Sequence, residues 1–315
     1  MESAQTQAFL AEMAQNSSKK YRNTEHHPVV IGLLSSQKVE MLNSTDYQYV
    51  GPVDEIDERD SDDPQSVTDY VQDMYNHFLC KEFEQFSSPS YITKQSEINE
   101  AMRSTLIDWL VEVHLRYKLR SETLYLAVNI IDRYLEKKEV KQTKFQLVGL
   151  TALLIASKYE EIYHVGVGNL GTICKQTYSR EEIVSFEIEI LETLGYRVTI
   201  ESAHTFLVRF LKAAHADKKI FQMSSYILEG SLYSYKLLRY SPSQLAAGTV
   251  LIARRYVGRN PWSPTLLKFS SYCEEELSPI SKAIISEKKL VESNLFAVKK
   301  KYSTPKYGEV ARIEI

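Results

Sequence analysis

Few residues in this chain have types and spacings that suit catalysis. His114, His164, His204 and His215 sit near no nucleophile motif. Gly166-Val167-Gly168 lacks the further glycine and the preceding strand that a phosphate-cradling loop needs. His26 and His27 are adjacent but have no companion ligands nearby. Cys80, Cys174 and Cys273 are far apart and odd in number, with neither metal spacing nor a disulfide framework. No catalytic residue, metal site or cofactor is expected. The informative chemistry is charge set among apolar residues. Glu187 falls between Ile183 and Ile190 on the apolar stripe of a helix, whereas Glu182, Glu189 and Glu192 fall off it. A carboxylate on a buried face should pair with a cation or point into a partner's site. Lys158, closing an apolar helix, is the best cation for it, although the helix macrodipole alone would also favour a lysine there. Arg103 and Asp132 form a second candidate pair, one that would set helix registry rather than do chemistry.

The elements that must position these groups are all helical. Ala101–Tyr117 places Met102, Leu106, Trp109, Leu110, Val113 and Tyr117 on one face. Ile107, Val111 and Leu115 make it apolar nearly all round, so neighbouring helices should enclose it. A helix beginning at Ser121 buries Leu124, Ala127, Val128, Ile131, Tyr134 and Leu135, with Asp132 beside that stripe. Thr143–Lys158 is apolar almost throughout and should be the most buried helix of this half. Another runs from Arg180 to Leu194 and ends at Gly195. Beyond the connector Val198–Glu201, helices are predicted over Ala203–Ala214, Lys219–Leu238, Pro242–Val257, Pro264–Tyr272 and Ser278–Tyr302. No alternating strand pattern occurs, and the chain reads as all-α. Leu154-Ile155-Ala156-Ser157-Lys158-Tyr159 matches Leu251-Ile252-Ala253-Arg254-Arg255-Tyr256. With about five helices on either side of the connector, two tandem units of similar plan follow.

At 315 residues, about two domains are expected. The formal net charge of −3 suggests neither nucleic-acid binding nor membrane attraction. No apolar run is long enough to span a bilayer, and the N-terminus does not read as a secretory signal. The cysteine usage suits cytosol or nucleus. Residues 1–63 read as a disordered tail. It carries a small basic patch, Ser17 to Arg22, and the acidic linker Asp54–Asp63. A helix then fills 64–88, with Pro64 in its first turn and an amphipathic face of Val67, Tyr70, Val71, Met74, Phe78 and Phe83. Residues 89–198 and 199–315 form the two units.

MRSTLIDWLVEV, ETLYLAVNIIDRYL and LVGLTALLIASKYEEIY resemble the cyclin box. HTFLVRFLKA, SPSQLAAGTVLIARRY, WSPTLLKFSSYCEEEL and KKKYSTPKYGEV are similar to the C-terminal region of mitotic cyclins, closer to the B type than the A type. The resemblance covers about Ser66 to Ala311. It implies two tandem five-helix cyclin folds preceded by a docking helix. It also implies a non-catalytic subunit that binds and activates a cyclin-dependent kinase, with G2/M control and residence in nucleus and cytoplasm. By the resemblance, Lys158 and Glu187 grip the kinase, and Arg103–Asp132 is a structural pair. Met102, Leu106, Trp109, Glu112 and Gln146 match a patch that docks Arg-x-Leu segments of substrates or inhibitors. Thr105 stands where an aliphatic residue is common and Gln142 where a basic one is, so an altered docking preference is expected. The tail lacks an Arg-x-x-Leu destruction box, and Arg103-Ser104-Thr105-Leu106 lies within the central helix. Ser88, Ser241, Ser263, Ser278 and Thr304 each precede proline, most of them as helix boundaries. A DNA-binding tandem fold would want a basic face and often a zinc ribbon, and a hydrolase would want a nucleophile motif; the residues favour neither.

Overall fold

A computed structural model of the chain describes residues 51–84, 87–174, 177–291 and 295–313. The basic patch and the His26-His27 pair lie outside the described residues. Twelve α-helices are present among them: α1 (Thr68–Lys81), α2 (Glu100–Tyr117), α3 (Ser121–Lys137), α4 (Phe145–Glu160), α5 (Val167–Ile173), α6 (Arg180–Thr193), α7 (Ala203–Ala213), α8 (Lys218–Ser231), α9 (Pro242–Tyr256), α10 (Pro264–Ser270), α11 (Glu274–Val291) and α12 (Ala297–Tyr302). No strand occurs among the described residues.

Helix α1 precedes two five-helix units, α2–α6 and α7–α11, and α12 follows them. Each unit wraps its third helix. Every residue of α4 from Leu147 through Ser157 is buried, and α9 is buried from Ala246 through Arg254. These two helices carry the sequence match, so the repeat marks the axis of each unit. The equivalence extends to an ion pair. Lys158 meets Glu187 of its unit's fifth helix at 2.7 Å, and Arg255 meets Glu274 of its own fifth helix at 2.7 Å.

Local chemistry sets the boundaries. Asn99, Ser202, Asp217 and Ser263 accept the backbone N–H groups of Met102, Thr205, Ile220 and Leu266, one for each helix start. Ser179–Glu182 and Ser241–Gln244 form reciprocal capping boxes. Ser88, Ser241 and Ser263 are thus N-caps, as their following prolines implied. Ser278 is not. Helix α11 begins four residues earlier, at Glu274, and holds Pro279 inside it.

Several expectations are corrected. The first half has six helices rather than five, because α5 is short and lacks a stripe to betray it. The predicted helix Lys219–Leu238 stops at Ser231, and a separate 3-10 turn occupies Tyr235–Arg239. The predicted helix Ser278–Tyr302 is divided into α11 and α12. The helix expected over 64–88 is α1 only from Thr68 to Lys81; of its predicted face Phe78 packs inward, beside Tyr75 and Leu79, whereas Tyr70, Met74 and the preceding Val67 are exposed. The acidic stretch is not a solvated linker over its described length. Asp57 forms a two-bond pair with Arg209 at 2.6 and 2.7 Å and a further contact to Lys212 at 2.7 Å. Glu55 meets Lys268 at 2.7 Å, and Ile56 is buried. Arg209 also lies over the Tyr75 and Phe269 rings, so the acidic stretch (the strap, residues 54–60), α1 and the second unit share one cation. Isolated acidic composition favours extension, but a buried guanidinium supplies the counter-charge that composition could not reveal.

The units are joined through Arg103. It is 1% exposed, and it donates to both carboxylate oxygens of Asp132 at 2.7 Å and to Tyr91 Oη at 3.1 Å. Its remaining arm donates across the joint to the carbonyls of Leu232 and Tyr233, at 2.9 and 3.2 Å. Asp108 on the same helix accepts from Tyr233 Oη at 2.7 Å and from Ala297 N at 2.8 Å, so it also starts α12. Helix α12 in turn buries Lys301 against Glu229 of α8 at 2.6 Å.

Two outcomes follow for stability. Arg103→Met should lower the unfolding free energy, read from urea denaturation, by about 3–5 kcal/mol, because it strands a buried carboxylate and two carbonyls. Arg103→Met/Asp132→Leu should recover only part of that loss, since the carbonyls stay unpaired. The second outcome concerns Glu82, buried just beyond α1. Its carboxylate accepts from Ser243 N at 2.9 Å and Ser243 Oγ at 2.8 Å, at the start of α9. Burial pushes this carboxyl from 4.5 up to about 7, against the opposing pull of those hydrogen bonds. A proton bound more tightly in the folded chain stabilises it at low pH. That contribution is full below the unfolded value and declines as pH rises through the folded one. Glu82→Gln should therefore flatten the fall in unfolding free energy between about pH 5 and about pH 8, a change on the order of 2–3 kcal/mol.

Candidate functional site

The pair inferred from Glu187's place on an apolar stripe forms. The last turn of α4 carries Lys158, whose Nζ donates to Glu187 Oε1 and Oε2 at 2.7 and 2.8 Å. The two ends of this pair differ in exposure: the lysine side chain is 42% accessible and the glutamate 11%. Glu187 is held by α6, whose Ile183, Phe186 and Ile190 anchor it to the first unit's core. An ammonium has three N–H donors. Two go to Glu187, which leaves one for a further acceptor. The site is therefore a fixed charge pair at the rim of the core, with donor capacity to spare.

A few residues beyond Lys158 in sequence lies a feature that the reading of motifs missed. Just past α4, Ile162 and Tyr163 are 92% and 90% exposed. Tyr159 on the last turn of α4, and Val184 and Ile188 on α6, are exposed too. Two large apolar side chains adjacent in a short loop were visible in the sequence. Their near-complete exposure was not visible there, and it is unusual because such residues normally turn inward.

The second candidate, the docking patch, lies on α2. Leu106 is buried and packs so close to Gly149 of α4 that an added Cβ there would sit 2.8 Å from its Cδ1. Met102 and Trp109 are half-buried on either side of it, and Glu112 is exposed one turn further on. Gln146, half-buried, precedes Gly149 by nearly one turn on the helix α4 that packs there. Glycine at position 149 lets the two helices approach, and Leu106 forms a floor rather than an open pocket wall. Thr105 is exposed, and its hydroxyl donates back to the Ala101 carbonyl at 2.8 Å. Arg103 and Leu106 are both buried, so the Arg-x-x-Leu pattern they complete is enclosed in the fold.

Arg103–Asp132 also forms, deep in the core, with Tyr91, Asp108 and Tyr233 around it. Burial raises the Tyr91 and Tyr233 hydroxyls far above the usual phenol range, so both remain neutral donors. Among the described residues, no group of three or more His, Cys, Asp or Glu could hold a metal ion. None of the described helices is long and apolar enough to cross a membrane.

The profile of the cyclin N-terminal domain matches residues 73–199, and that of the cyclin C-terminal domain matches 202–315. The chain is 40% identical over 262 residues to G2/mitotic-specific cyclin-1 of Medicago sativa subsp. varia, covering 82% of this chain and 61% of that one. It is 38% identical over 301 residues to Cyclin-B2-1 of Oryza sativa subsp. japonica, covering 92% and 71%. It is 42% identical over 262 residues to Cyclin-B1-2 of Arabidopsis thaliana, covering 82% and 58%. The chain thus spans roughly three fifths to seven tenths of the length of these relatives. Among solved structures, a viral cyclin from herpesvirus saimiri superposes with a TM-score of 0.62 at 23% identity, over 71% of this chain and 99% of that one, a likeness of fold. Sequence relatives, both domain profiles and the two wrapped five-helix units agree: the chain belongs to the cyclin family.

Proposed function

We propose that this chain is the regulatory, non-catalytic subunit of a cyclin-dependent serine/threonine kinase, acting at the G2/M transition in nucleus and cytoplasm. The observation that carries the reading is the exposure of Ile162 and Tyr163 close in sequence to the Lys158–Glu187 pair. The apolar side chains offer area that gains from burial on a partner. The ammonium offers a donor of fixed position for a partner's backbone carbonyl. Together they suit one end of a helix on a mobile kinase segment. Holding that segment would align the kinase's own Lys–Glu pair and favour an ordered activation loop, both needed for phosphoryl transfer. Relatives named as mitotic and B-type cyclins support the G2/M assignment. The scattered cysteines suit a reducing setting.

The α2 patch is assigned to Arg-x-Leu segments of substrates or inhibitors. Met102 and Trp109 flank an apolar floor for the leucine, and Glu112 offers charge to the arginine.

Kinase activation is tested by mixing the purified chain with a panel of cyclin-dependent kinase catalytic subunits and following histone phosphorylation. Lys158→Ala/Glu187→Ala should stay folded yet weaken binding to the activated kinase at least about tenfold. A double variant that activates as well as the native chain would refute the assignment. Independently, Trp109→Ala should weaken binding of an Arg-x-Leu peptide by about tenfold or more, read by fluorescence anisotropy, while basal kinase activation is kept.

A further inference from the structure

The loop that exposes Ile162 and Tyr163 is fastened at both ends by side chains that point away from its outer face. At the start, Glu161 Oε1 accepts from Arg120 N at 2.7 Å and from Thr123 Oγ1 at 2.5 Å. Arg120 is the N-cap residue of α3 and makes no side-chain cap of its own. Glu161 thus brings a carboxylate to the N-terminus of α3 from the far end of α4, where the helix dipole favours it. At the other end, the buried Ser157 Oγ donates to the Leu154 carbonyl at 2.9 Å and accepts from Val165 N at 3.3 Å. Val165 itself is buried. Between these fixed points lie Ile162, Tyr163 and His164, all exposed. The second unit repeats the device at the matching position. Arg254, which aligns with Ser157, donates to the Asn260 carbonyl beyond α9 at 2.8 Å and to the Ala214 carbonyl at 2.7 Å.

We infer that Glu161 and Ser157 are positioning residues for kinase binding: they hold Ile162 and Tyr163 splayed outward before the partner arrives. The inference rests on the kinase-binding reading above. Its physical content is preorganisation. Ordering a loop on binding costs conformational entropy, and a loop already ordered in the free chain avoids that cost. The benefit should appear in the lifetime of the complex, because related interfaces differ mostly in dissociation rate. It should not appear in the activity of the kinase once saturated, because neither side chain is needed at the reacting atoms.

The test uses the full chain and an immobilised cyclin-dependent kinase catalytic subunit, with amide hydrogen exchange on the free chain as the second readout. Glu161→Ala should dissociate about tenfold faster, with kinase activity at saturation unchanged, as expected for a lost charge-assisted contact. Glu161→Gln keeps an acceptor oxygen and should stay within about twofold of native. Ser157→Ala should behave like Glu161→Ala. In both alanine variants the exchange of amides 161–166 should rise while amides of α4 and α6 stay protected. Ile162→Ala serves as the control for the surface itself. If Ile162→Ala weakens binding but Glu161→Ala does not, the loop holds itself and the positioning role is refuted. If Glu161→Gln fails as badly as Glu161→Ala while loop exchange stays native, Glu161 touches the partner through its charge, and the role is again refuted. If Ile162→Ala is harmless, the kinase-binding reading falls and takes this inference with it.

Discussion

The structure depends on one buried cation. Arg103 is enclosed in the centre of the molecule, and a guanidinium there is tolerated only if its charge and its donors are met. Asp132 neutralises it, Tyr91 takes a further bond, and two carbonyls of the second unit accept the rest. That geometry determines several things together. It sets the registry of α2 against α3, and it brings the end of α8 onto the first unit. It also places Asp108, on the same helix, where it starts α12. A pair expected to register two helices therefore also joins two units.

Around that joint, each unit repeats a scheme of a wrapped third helix with a cation at its end and a fastened loop beyond it. The copies have diverged in what the loop presents. In the first unit, Ile162 and Tyr163 stand out in solvent a few residues beyond the paired Lys158. In the second, Arg255 is paired with Glu274 at the start of α11, and the loop beyond α9 is gathered in by Arg254. Equal scaffolds thus present different side chains at matching positions: two large apolar groups past α4, and Gly258, Arg259 and Asn260 past α9.

The strap and α1 add a third layer. Asp57 and Glu82, at two ends of the N-terminal region, both reach the second unit. The segment preceding the first unit is therefore fastened to the unit that follows it by an ion pair at Asp57 and by hydrogen bonds to Ser243 at Glu82. Tyr75 contributes as well, donating to the Thr205 carbonyl at 3.1 Å and lying against Arg209. These contacts account for the side of α1 that is buried, and they leave Val67, Tyr70 and Met74 in solvent.

Much was legible from sequence because the signals are local. Helical periodicity, capping serines and the Leu154–Tyr159 repeat are written within a few turns of chain. Glu187 stood out because one carboxylate interrupted an apolar stripe. Its pairing with Lys158, and that of Arg103 with Asp132, could be proposed because buried charges have few choices of partner. What the tertiary structure alone decided are the contacts between residues distant in sequence. The acidic stretch looked solvated because its counter-charges, Arg209, Lys212 and Lys268, lie some 150 to 210 residues away. The face of α1 was only partly right, with Phe78 inward but Tyr70 and Met74 exposed, because an amphipathic pattern does not say which side another unit will cover. Helix α5 is too short to show a period. Exposure of Ile162 and Tyr163, and the bonds made by Glu161 and Ser157 on either side of them, follow from where α3 and α4 end relative to one another. Composition and spacing specify which groups need partners; only packing specifies which partners they receive.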